Sequence, residues 1–402
     1  MRRKRFKDLF LENKRPQHNV TVLSLSYGRI IAKDMEAKKG VSPDSFAAYQ
    51  GVLPQDIVMR LTDLQNDQKS IRVAQSSLDG IITSAYLSVS TGKDLDAGFA
   101  YYLLHDMADI QKVCYSLGGG VRQTIKFADF ADLEINLLPI DIQRRGSVFL
   151  DRQTSIIDEK IALISRKQGL LAELRKSTIH EAVTKGLDKA VLMKISTVNW
   201  IGEIPQEWEL VRVGTIFEEV SLRGSSTGDV LTVSIAHGIM PQSSFEELTG
   251  RRLSKPINDK DNYRKVEIGD FVYNKMRMWQ GAVGISTYNG VVSPAYVVFR
   301  AKKKANAKFL LHLMKSDVFI SQSNSCSYGI VDDQNSLKFS NFKAMTLAYP
   351  PLDEQEAIAN FLERETSIID QNLALLARQK ELLQEQRKAL IHEVVTGNMR
   401  VI

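Results

Sequence analysis

The side chains best suited to metal or acid–base chemistry are two His-Glu pairs, His180-Glu181 and His392-Glu393. Each pair begins like the H-E-x-x-H pattern, in which two histidines on one helix face bind zinc and the glutamate acts as a general base. The residue four positions after each histidine is Thr184 or Thr396, so the second zinc ligand is missing. The pairs therefore do not predict a zinc site, and a helix-terminus or interhelix contact is their expected role.

Two other short motifs are also incomplete. Thr91-Gly92-Lys93 is followed by Asp94 and lacks the upstream glycine of a phosphate-binding P-loop. Ser293-Pro294-Ala295-Tyr296 lacks the asparagine and the second proline of the Asn-Pro-Pro-aromatic element that adenine methyltransferases use. The sequence therefore predicts a non-catalytic chain with no cofactor and no metal ion of its own.

The composition is that of an ordinary globular protein. The chain has 402 residues, of which 44% are hydrophobic and 25% charged, and its net charge of +6 favours a polyanionic partner. The first sixteen residues lack the apolar run of a signal peptide, and no stretch approaches the roughly 18 apolar residues that span a bilayer. We therefore expect a cytoplasmic protein without a membrane partner.

The chain contains an internal duplication. Residues 141–184 align without a gap on residues 353–396, and 23 of these 44 pairs are identical. Weaker echoes extend over the rest of the chain, such as Lys126-Phe127 with Lys338-Phe339. The expected organisation is a variable domain at residues 1–138, a helical region at 139–195, a second variable domain at 196–350 and a second helical region at 351–402.

The repeated block predicts two long helices. Asp141 and Asp353 each follow a proline and are suited to cap a helix start, and about 40 residues without proline would form a rod of roughly 60 Å. Apolar residues recur at alternating spacings of four and three, which indicates a coiled-coil seam. Polar residues occupy the same two seam positions in both copies, Gln168/Lys380 and Arg175/Arg387, as register-setting residues would. An antiparallel pairing of the two helices is the simplest arrangement.

The two variable domains are predicted to be mixed α+β. Short β-like runs at Val20–Leu25, Phe271–Tyr273 and Ala295–Phe299 are separated by turn-forming residues, and helices are expected at Ala97–Ala108 and Asn306–Ser316. The predicted fold class is therefore α+β, with two globular domains, two long antiparallel helices and an internal pseudo-two-fold repeat.

Two further features follow from the repeat. Cys114 and Cys326 occupy the same phase in two different domains, which argues against a disulfide and predicts buried structural thiols. A second apolar row widens the helical seam, and either a partner subunit or the flanking domains are expected to cover it. The row consists of Ile156, Leu163, Leu170, Ile368, Leu375 and Leu382.

Three stretches of the second half resemble a known family. They are Leu352–Gln355 leading into a helix that ends at His392–Gly397, Trp200–Pro205 with Trp208, and Asn274–Gly281 with Ser293–Tyr296. Together they resemble the specificity (S, HsdS) subunits of type I restriction-modification systems. The first half departs from the pattern, because it lacks the Trp-Ile-Gly opening and has Ile142 in place of Glu354.

The resemblance implies a non-catalytic DNA-binding subunit. Each target recognition domain would bind one half of a bipartite, asymmetric site in double-stranded DNA, and the helical pair would fix the spacer between the half-sites. The chain would direct two modification (methyltransferase) subunits, which bind S-adenosylmethionine, and ATP-dependent restriction subunits, so ATP and Mg are expected on partners only. The second apolar row would then dock the modification subunits.

Candidate DNA contacts are basic and amide side chains in the predicted loops, since phosphates bind Arg and Lys, while base edges also bind amides and hydroxyls. For each of them the alternative is a solvated surface charge. Trp279 is expected in the core rather than as a stacking platform. The candidates are Lys14, Arg15, Arg29, Arg60, Arg122 and Gln123 in the first domain, and Arg223, Arg251, Arg252, Lys275, Arg277, Tyr328, Asp333 and Gln334 in the second.

Two other functions remain open from the sequence. One is a structural adaptor, in which two domains on a coiled-coil spacer bind only proteins. The other is an orphan specificity protein that works without an active nuclease partner. A fused methyltransferase is disfavoured, because its cofactor motifs are missing.

Overall fold

A computed structural model of the chain divides into two units. Unit 1 comprises Met1–Ser165 and Ala377–Ile402, and unit 2 comprises Arg166–Leu376. The structure describes residues 2–17, 21–26, 28–33, 46, 48–61, 72–106, 126–198, 201–223, 229–253, 262–328 and 335–401.

The helices of the described residues include two of 46 and 44 residues. A short 3₁₀ helix covers Met278–Gln280. The α-helices are α1 (Phe6–Leu9), α2 (Ala97–Asp106), α3 (Phe127–Phe130), α4 (Ile140–Lys185), α5 (Val213–Ile216), α6 (Gln242–Thr249), α7 (Ala307–Met314), α8 (Asp317–Ser325), α9 (Phe339–Phe342) and α10 (Leu352–Val395).

The strands are short, with three to six residues each. Those of unit 1 are β1 (Arg2–Arg5), β2 (Phe10–Glu12), β3 (Leu23–Ser26), β4 (Arg29–Ala32), β5 (Tyr49–Val52), β6 (Ile57–Arg60), β7 (Arg72–Gln75), β8 (Gly80–Thr83), β9 (Leu87–Thr91) and β10 (Glu134–Leu137). Those of unit 2 are β11 (Met193–Ile195), β12 (Glu203–Pro205), β13 (Glu209–Arg212), β14 (Phe217–Glu219), β15 (Leu231–Ser234), β16 (Gly238–Pro241), β17 (Arg264–Val266), β18 (Phe271–Asn274), β19 (Val283–Ile285), β20 (Gly290–Val292), β21 (Tyr296–Ala301) and β22 (Thr346–Tyr349).

The two units repeat one sheet topology. Unit 1 has an antiparallel sheet of order β2-β9-β6-β7, and unit 2 has the matching order β14-β21-β18-β19. The smaller pairs also correspond, since β1-β10, β3-β4 and β5-β8 match β13-β22, β15-β16 and β17-β20. The weak sequence echoes outside the helices are therefore remnants of a duplicated fold.

A pair of glycines shows how closely the backbones correspond. A Cβ added to Gly80 of β8 would lie 2.5 Å from the Thr21 carbonyl oxygen, and one added to Gly290 of β20 would lie 2.5 Å from that of Asp229. Because a side chain would force these neighbouring backbones apart, both units need glycine where the strand passes them.

Most predicted elements are present, with shifted bounds. The expected helices correspond to α2 and to α7, which Asn306 caps by accepting a hydrogen bond from the Phe309 N–H. The long helices begin one residue before Asp141 and Asp353, so these aspartates are not caps. They lie in the first turn, where a carboxylate is favoured by the helix dipole.

In unit 1, the two long helices pair in antiparallel register. Asp158 of α4 contacts Arg387 of α10 at 3.0 Å (Oδ1 to Nε). Ser165 lies 3.0 Å from the Lys380 ammonium (Oγ to Nζ). Ile157 and Ile164, each one residue before a contact residue of α4, are buried. Both polar seam residues of α10 therefore bind α4.

Unit 2 contains the repeat-related contact. Arg175 of α4 binds both carboxylate oxygens of Asp370 in α10, at 2.9 Å and 3.2 Å. Ile369 and Leu376 are buried in the same seam. Exposed ion pairs contribute less than about 1 kcal/mol, so these contacts select a register more than they add stability. The predicted fold class is confirmed: mixed helix and strand units with two long, antiparallel, paired helices.

A buried glutamine anchors the start of each long helix. Gln143 is fully buried; its amide oxygen accepts the Asp96 N–H at 2.9 Å, and its nitrogen donates to the Leu138 carbonyl at 2.7 Å. Gln355 is equally buried, accepts the Asn306 N–H at 2.9 Å and donates to the Pro350 carbonyl at 2.8 Å. One side chain thus ties a helix start to the preceding strand connection and to a second helix.

The start of α10 carries a further contact that the first repeat lacks. The indole of the buried Trp208 donates to Glu354 at 2.8 Å (Nε1 to Oε2), and a Cβ on Gly186, where φ is +77°, would lie 2.6 Å from the other Glu354 oxygen. Ile142 takes the place of Glu354 in unit 1 and packs against the hydrophobic core.

The second apolar row is exposed. Leu163 and Leu375 are 66% and 68% exposed, and Ile156, Leu170, Ile368 and Leu382 are between 39% and 58% exposed. The alternative in which the flanking domains cover this row is therefore wrong. Contiguous exposed apolar side chains on a helix are typical of an interaction surface.

Cys326 is a free thiol that is half-buried rather than fully buried as predicted. Burial raises its pKa above the ordinary value. Cys114 lies outside the described residues. Among the described helices, none is both long and apolar enough to cross a bilayer.

Replacing Gln355 by leucine is expected to lower the free energy of unfolding by about 1–3 kcal/mol, because the Asn306 N–H and the Pro350 carbonyl would lose their partner. Gln143→Leu should cost a similar amount in unit 1. The control is Gln371→Leu on the exposed face of α10, for which we expect a change within about 0.5 kcal/mol. Chemical denaturation of the three variants makes the measurement, and equal losses at positions 355 and 371 would contradict the anchoring role.

Glu354→Gln is expected to change the pH dependence of stability. Burial raises the pKa of Glu354, and the Trp208 hydrogen bond offsets part of that rise. A raised folded-state pKa contributes stability that is complete below the unfolded pKa and is lost as the pH rises through the folded pKa. The glutamine keeps an acceptor for Trp208 without this loss.

The Gln variant should therefore gain in Tm relative to the unchanged protein as the pH rises from below the ordinary glutamate pKa to neutrality. Thermal unfolding of both proteins across this range provides the test. A Tm difference that stays constant with pH would show that the carboxyl group of Glu354 is not titrating differently in the folded state.

Candidate nucleic-acid interface

Unit 1 contains a cleft of about 660 Å³ that combines aromatic and basic side chains. Tyr49 begins β5, Tyr86 lies in the turn before β9, and Lys126 and Phe127 stand at the start of α3. We refer to it as the unit 1 cleft. Its lining residues are Glu12, Lys14, Arg15, Pro16, Ala48, Tyr49, Gln50, Ser84, Ala85, Tyr86, Leu87, Ser88, Lys126 and Phe127.

Hydrogen bonds hold the walls of the unit 1 cleft in place. The Gln50 amide donates to the Tyr86 carbonyl at 2.7 Å and thereby ties the turn before β9 to β5. Arg15 pairs with Asp56, whose side chain is only 4% exposed and also accepts the Leu53 N–H at 2.8 Å. The cleft is therefore built on anchored side chains, which is the condition for positioning a ligand accurately.

The remaining cations of the cleft are accessible. Lys14 is 78% exposed, and its one ion pair with a described residue, Glu12, spans 2.9 Å on the surface. Such a pair is worth at most about 1 kcal/mol, so Lys14 can exchange Glu12 for an incoming anion. Lys126 is exposed as well. Cations beside aromatic faces are the chemistry that binds nucleic-acid phosphates and bases.

Unit 2 presents a rigid turn at Asn274–Gly281. The Asn274 side chain accepts the Met276 N–H at 2.9 Å, and the Trp279 indole donates to the Met276 carbonyl at 2.9 Å. Met278 is fully buried beneath the turn, and Gly281 closes it with a φ of +83°. The turn therefore holds Met276 and Arg277 toward solvent on a fixed backbone. Trp279 is half-buried, so the prediction of a core tryptophan is met only in part.

Lys275 joins this turn to two other segments. Its ammonium donates to the Pro294 carbonyl at 2.7 Å, and its backbone bonds Ala295 and Leu337 at 2.9 Å each. Burial lowers the pKa of Lys275, and the neighbouring Arg264 acts in the same direction. Lys275 therefore positions the turn against the Ser293–Tyr296 stretch, whereas Arg277 is exposed and available for a ligand.

The structure brings only some of the predicted DNA-contact residues together. Lys14 and Arg15 share the unit 1 cleft, and Lys275 and Arg277 share the turn of unit 2. Arg29, Arg223, Arg251, Arg252 and Tyr328 are exposed outside these two places, and Arg60 is half-buried at the end of β6. Arg122, Gln123, Asp333 and Gln334 lie outside the described residues.

The sequence did not single out several lining residues of the cleft as DNA contacts, including Tyr49, Gln50 and Tyr86. The internal repeat in the sequence could have pointed to some of these lining residues. Tyr86 and Lys126-Phe127 echo Tyr296 and Lys338-Phe339 of the second half. Tyr49 and Gln50 reach the cleft only through the pairing of β5 with β8, which spacing along the chain does not show.

The amino-acid sequence of the chain is similar to those of known proteins. Residues 205–383 match the family model of the type I restriction modification DNA specificity domain. The chain is 22% identical over 333 residues to the type I restriction enzyme MjaVIII specificity subunit of Methanocaldococcus jannaschii, covering 80% of this chain and 75% of that protein. It is 23% identical over 305 residues to the putative MjaX specificity subunit of the same organism, covering 75% and 68% respectively.

Solved structures share the fold. One chain, from a study of complex assembly and conformational transition of the type I R-M system, matches with a TM-score of 0.70 and 13% identity, covering 99% of this chain and 98% of that chain. The HsdS subunit of Thermoanaerobacter tengcongensis matches with a TM-score of 0.54 and 15% identity, covering 99% and 97% respectively.

Residues 205–383 thus match a DNA specificity domain, and the fold of two mixed helix and strand units with two long helices is shared with a solved chain of a type I R-M system. The family model and the curated relatives confirm the resemblance predicted from the sequence, that to the specificity subunits of type I restriction-modification systems. This family is generally non-catalytic.

Proposed function

We propose that the chain is the non-catalytic specificity subunit of a cytoplasmic type I restriction-modification complex. Unit 1 binds one half of a bipartite double-stranded DNA target and unit 2 binds the other half. The observation that carries this proposal is the duplicated fold with different chemistry at repeat-related positions. One scaffold used twice with different contact residues is suited to an asymmetric target.

The difference between the units is visible at one strand position. Gln50 pairs with Ile82 in the β5-β8 register, and Arg264 pairs with Val292 at the matching position of β17-β20. Gln50 donates to the turn before β9, whereas Arg264 forms an ion pair of 2.5 Å with Glu219. Because these two side chains hold different neighbouring segments in place, the surface around this position differs between the units, which supports different half-sites.

The exposed apolar row supports the proposed assembly with two modification subunits. Ile156, Leu163 and Leu382 belong to unit 1, and Leu170, Ile368 and Leu375 belong to unit 2. Each unit thus carries one patch of similar composition, as two identical partners require. S-adenosylmethionine, ATP and Mg are assigned to the modification and restriction subunits. We also predict that the length of the two long helices sets the length of the DNA spacer between the half-sites.

A map of methylated adenines across the genome of the source cell, with and without this chain, tests the function. We expect loss of the chain to remove one bipartite motif. An unchanged map would contradict the proposal and favour an adaptor that binds only proteins. Loss of methylation without any change in restriction would support an orphan specificity protein instead.

Single substitutions in each unit, tested with the same methylation map, show which half-site each unit binds. If Arg277 contacts a base, Arg277→Ala is expected to cost about 1–3 kcal/mol in binding and to relax one position of one half-site. Tyr86→Ala, in the unit 1 cleft, should affect only the other half-site. Arg166→Ala, exposed on α4, is the control and should leave the motif unchanged. If the two unit-specific variants altered the same half-site, the assignment of one half-site to each unit would be wrong.

Docking of the modification subunits is tested separately by co-elution. Leu163→Glu and Leu375→Glu, at repeat-related positions, should each remove one of two bound modification subunits, because burying a charge without a partner is unfavourable. Ala162→Glu and Ala374→Glu are the matched controls, since these exposed neighbours lie about 100° away around their helices. Intact co-elution of the leucine variants would show that the apolar row is not the docking surface.

A further inference from the structure

Unit 1 contains a second cavity, of about 400 Å³, beside the start of α4. It lies away from the unit 1 cleft along the β2-β9 pair. Lys93 lies two residues after the end of β9, whereas Leu87 and Ser88, the first two residues of β9, line the cleft. We call this cavity the basic socket. Its lining residues are Arg2, Lys4, Lys93, Asp94, Leu137, Leu138, Pro139, Ile140 and Asp141.

The cations of the basic socket are only partly neutralised. Lys4 pairs with Asp94 at 3.3 Å, and Asp141 pairs with Arg145, outside the socket, at 3.5 Å. Both carboxylates of the lining therefore already have a cation. Within the described residues, no carboxylate forms an ion pair with Arg2 or Lys93, and both side chains are exposed. The socket thus retains positive charge for an external anion.

The arrangement of β1 explains why this charge collects on one side. Alternate residues of a strand point to opposite faces. Arg3 pairs with Glu134 at 3.3 Å, and Arg5 pairs with Asp8 at 3.1 Å, so one face of β1 is matched by acidic neighbours. Arg2 and Lys4, on the other face, line the socket.

An apolar wall accompanies the cations. Leu137 and Leu138 are buried at the end of β10, and Pro139 with Ile140 continues the wall to the first turn of α4. A phosphate backbone would gain little from such a wall. An aliphatic or aromatic side chain that enters it would gain roughly 25 cal/mol for each Å² of apolar surface removed from water.

The matching place in unit 2 has the opposite charge. Arg2 pairs with Leu137 in β1-β10, and Glu209 pairs with Tyr349 at the same position of β13-β22. The cavity there has about 230 Å³, and Glu207 and Glu209 line it together with Lys304. The positive charge is therefore a property of unit 1 and not of the repeated scaffold.

We propose that the basic socket binds an acidic peptide segment of a partner protein, with one apolar side chain of that segment against Leu137, Leu138 and Ile140. Asp94 and Asp141 on the lining disfavour a continuous polyanion such as DNA, while a short segment with separated carboxylates avoids them. Because unit 2 carries glutamates at this place, only one such segment binds each chain. The socket thus distinguishes the two halves of the duplicated protein for a partner.

Fluorescence anisotropy of the full chain with a labelled peptide of alternating glutamate and leucine tests the proposal. We expect Arg2→Glu/Lys93→Glu to weaken binding by roughly tenfold, since two exposed ion pairs with the peptide are lost. Lys189→Glu/Lys303→Glu is the control, because it changes the net charge equally at exposed positions of unit 2. Circular dichroism confirms that both variants are folded.

Equal weakening by both double variants would overturn the proposal, because it would indicate binding to the general positive charge of the chain. Unchanged affinity of the Arg2/Lys93 variant would overturn it as well. Displacement of the peptide by duplex DNA from the unchanged protein, but not from the variant, would assign the socket to DNA phosphates instead. A glutamate and serine peptide that binds as tightly would refute the role of the apolar wall.

Discussion

Each unit depends on the pairing of helical segments that lie about two hundred residues apart in the chain. The hydrophobic core of unit 1 includes Leu150 from α4 together with Ile391 and Val394 from α10. The core of unit 2 includes Val183 from the end of α4 and Ile358 from the start of α10. Neither unit can bury its core without both helices. Sheet, helix start and seam are therefore one cooperative structure within each unit.

Duplication fixed this architecture, and divergence then changed its parts together. Glu354 and Trp208 form one hydrogen-bonded contact in unit 2, and unit 1 has Ile142 packed against its core instead. A glutamate without its indole donor would be a partly buried carboxylate with less compensation for lost hydration. Gln143 and Gln355, in contrast, are identical because both satisfy the same backbone groups in each unit.

The regular parts of the fold could be predicted because their signals are local or periodic. Heptad spacing located the seam, and the matched polar positions at Arg175 and Arg387 proved to be interhelical contacts. The helix starts were misplaced by two residues, since an aspartate is favourable both as a cap and in the first turn. The unit 1 cleft was only partly predictable. Its Lys14 and Arg15 are conspicuous charges, while Gln50 enters it through strand pairing, which leaves no local pattern.

The two halves of the chain share their helical surfaces but differ in the charge of the cavities beside the helix starts. The exposed apolar rows of the two helices are identical at matching repeat positions, and their seams keep the same spacing, so a partner that binds the helices meets two similar surfaces. The basic socket and the matching cavity of unit 2 carry opposite charges. Arg2 and Lys93 line the socket in unit 1, whereas Glu207 and Glu209 line the cavity in unit 2. Exposed charge changes at little cost in stability, whereas the buried seam tolerates few changes. Sequence differences between the two halves should therefore concentrate at the surfaces that bind different ligands. The buried core residues should stay similar in both halves.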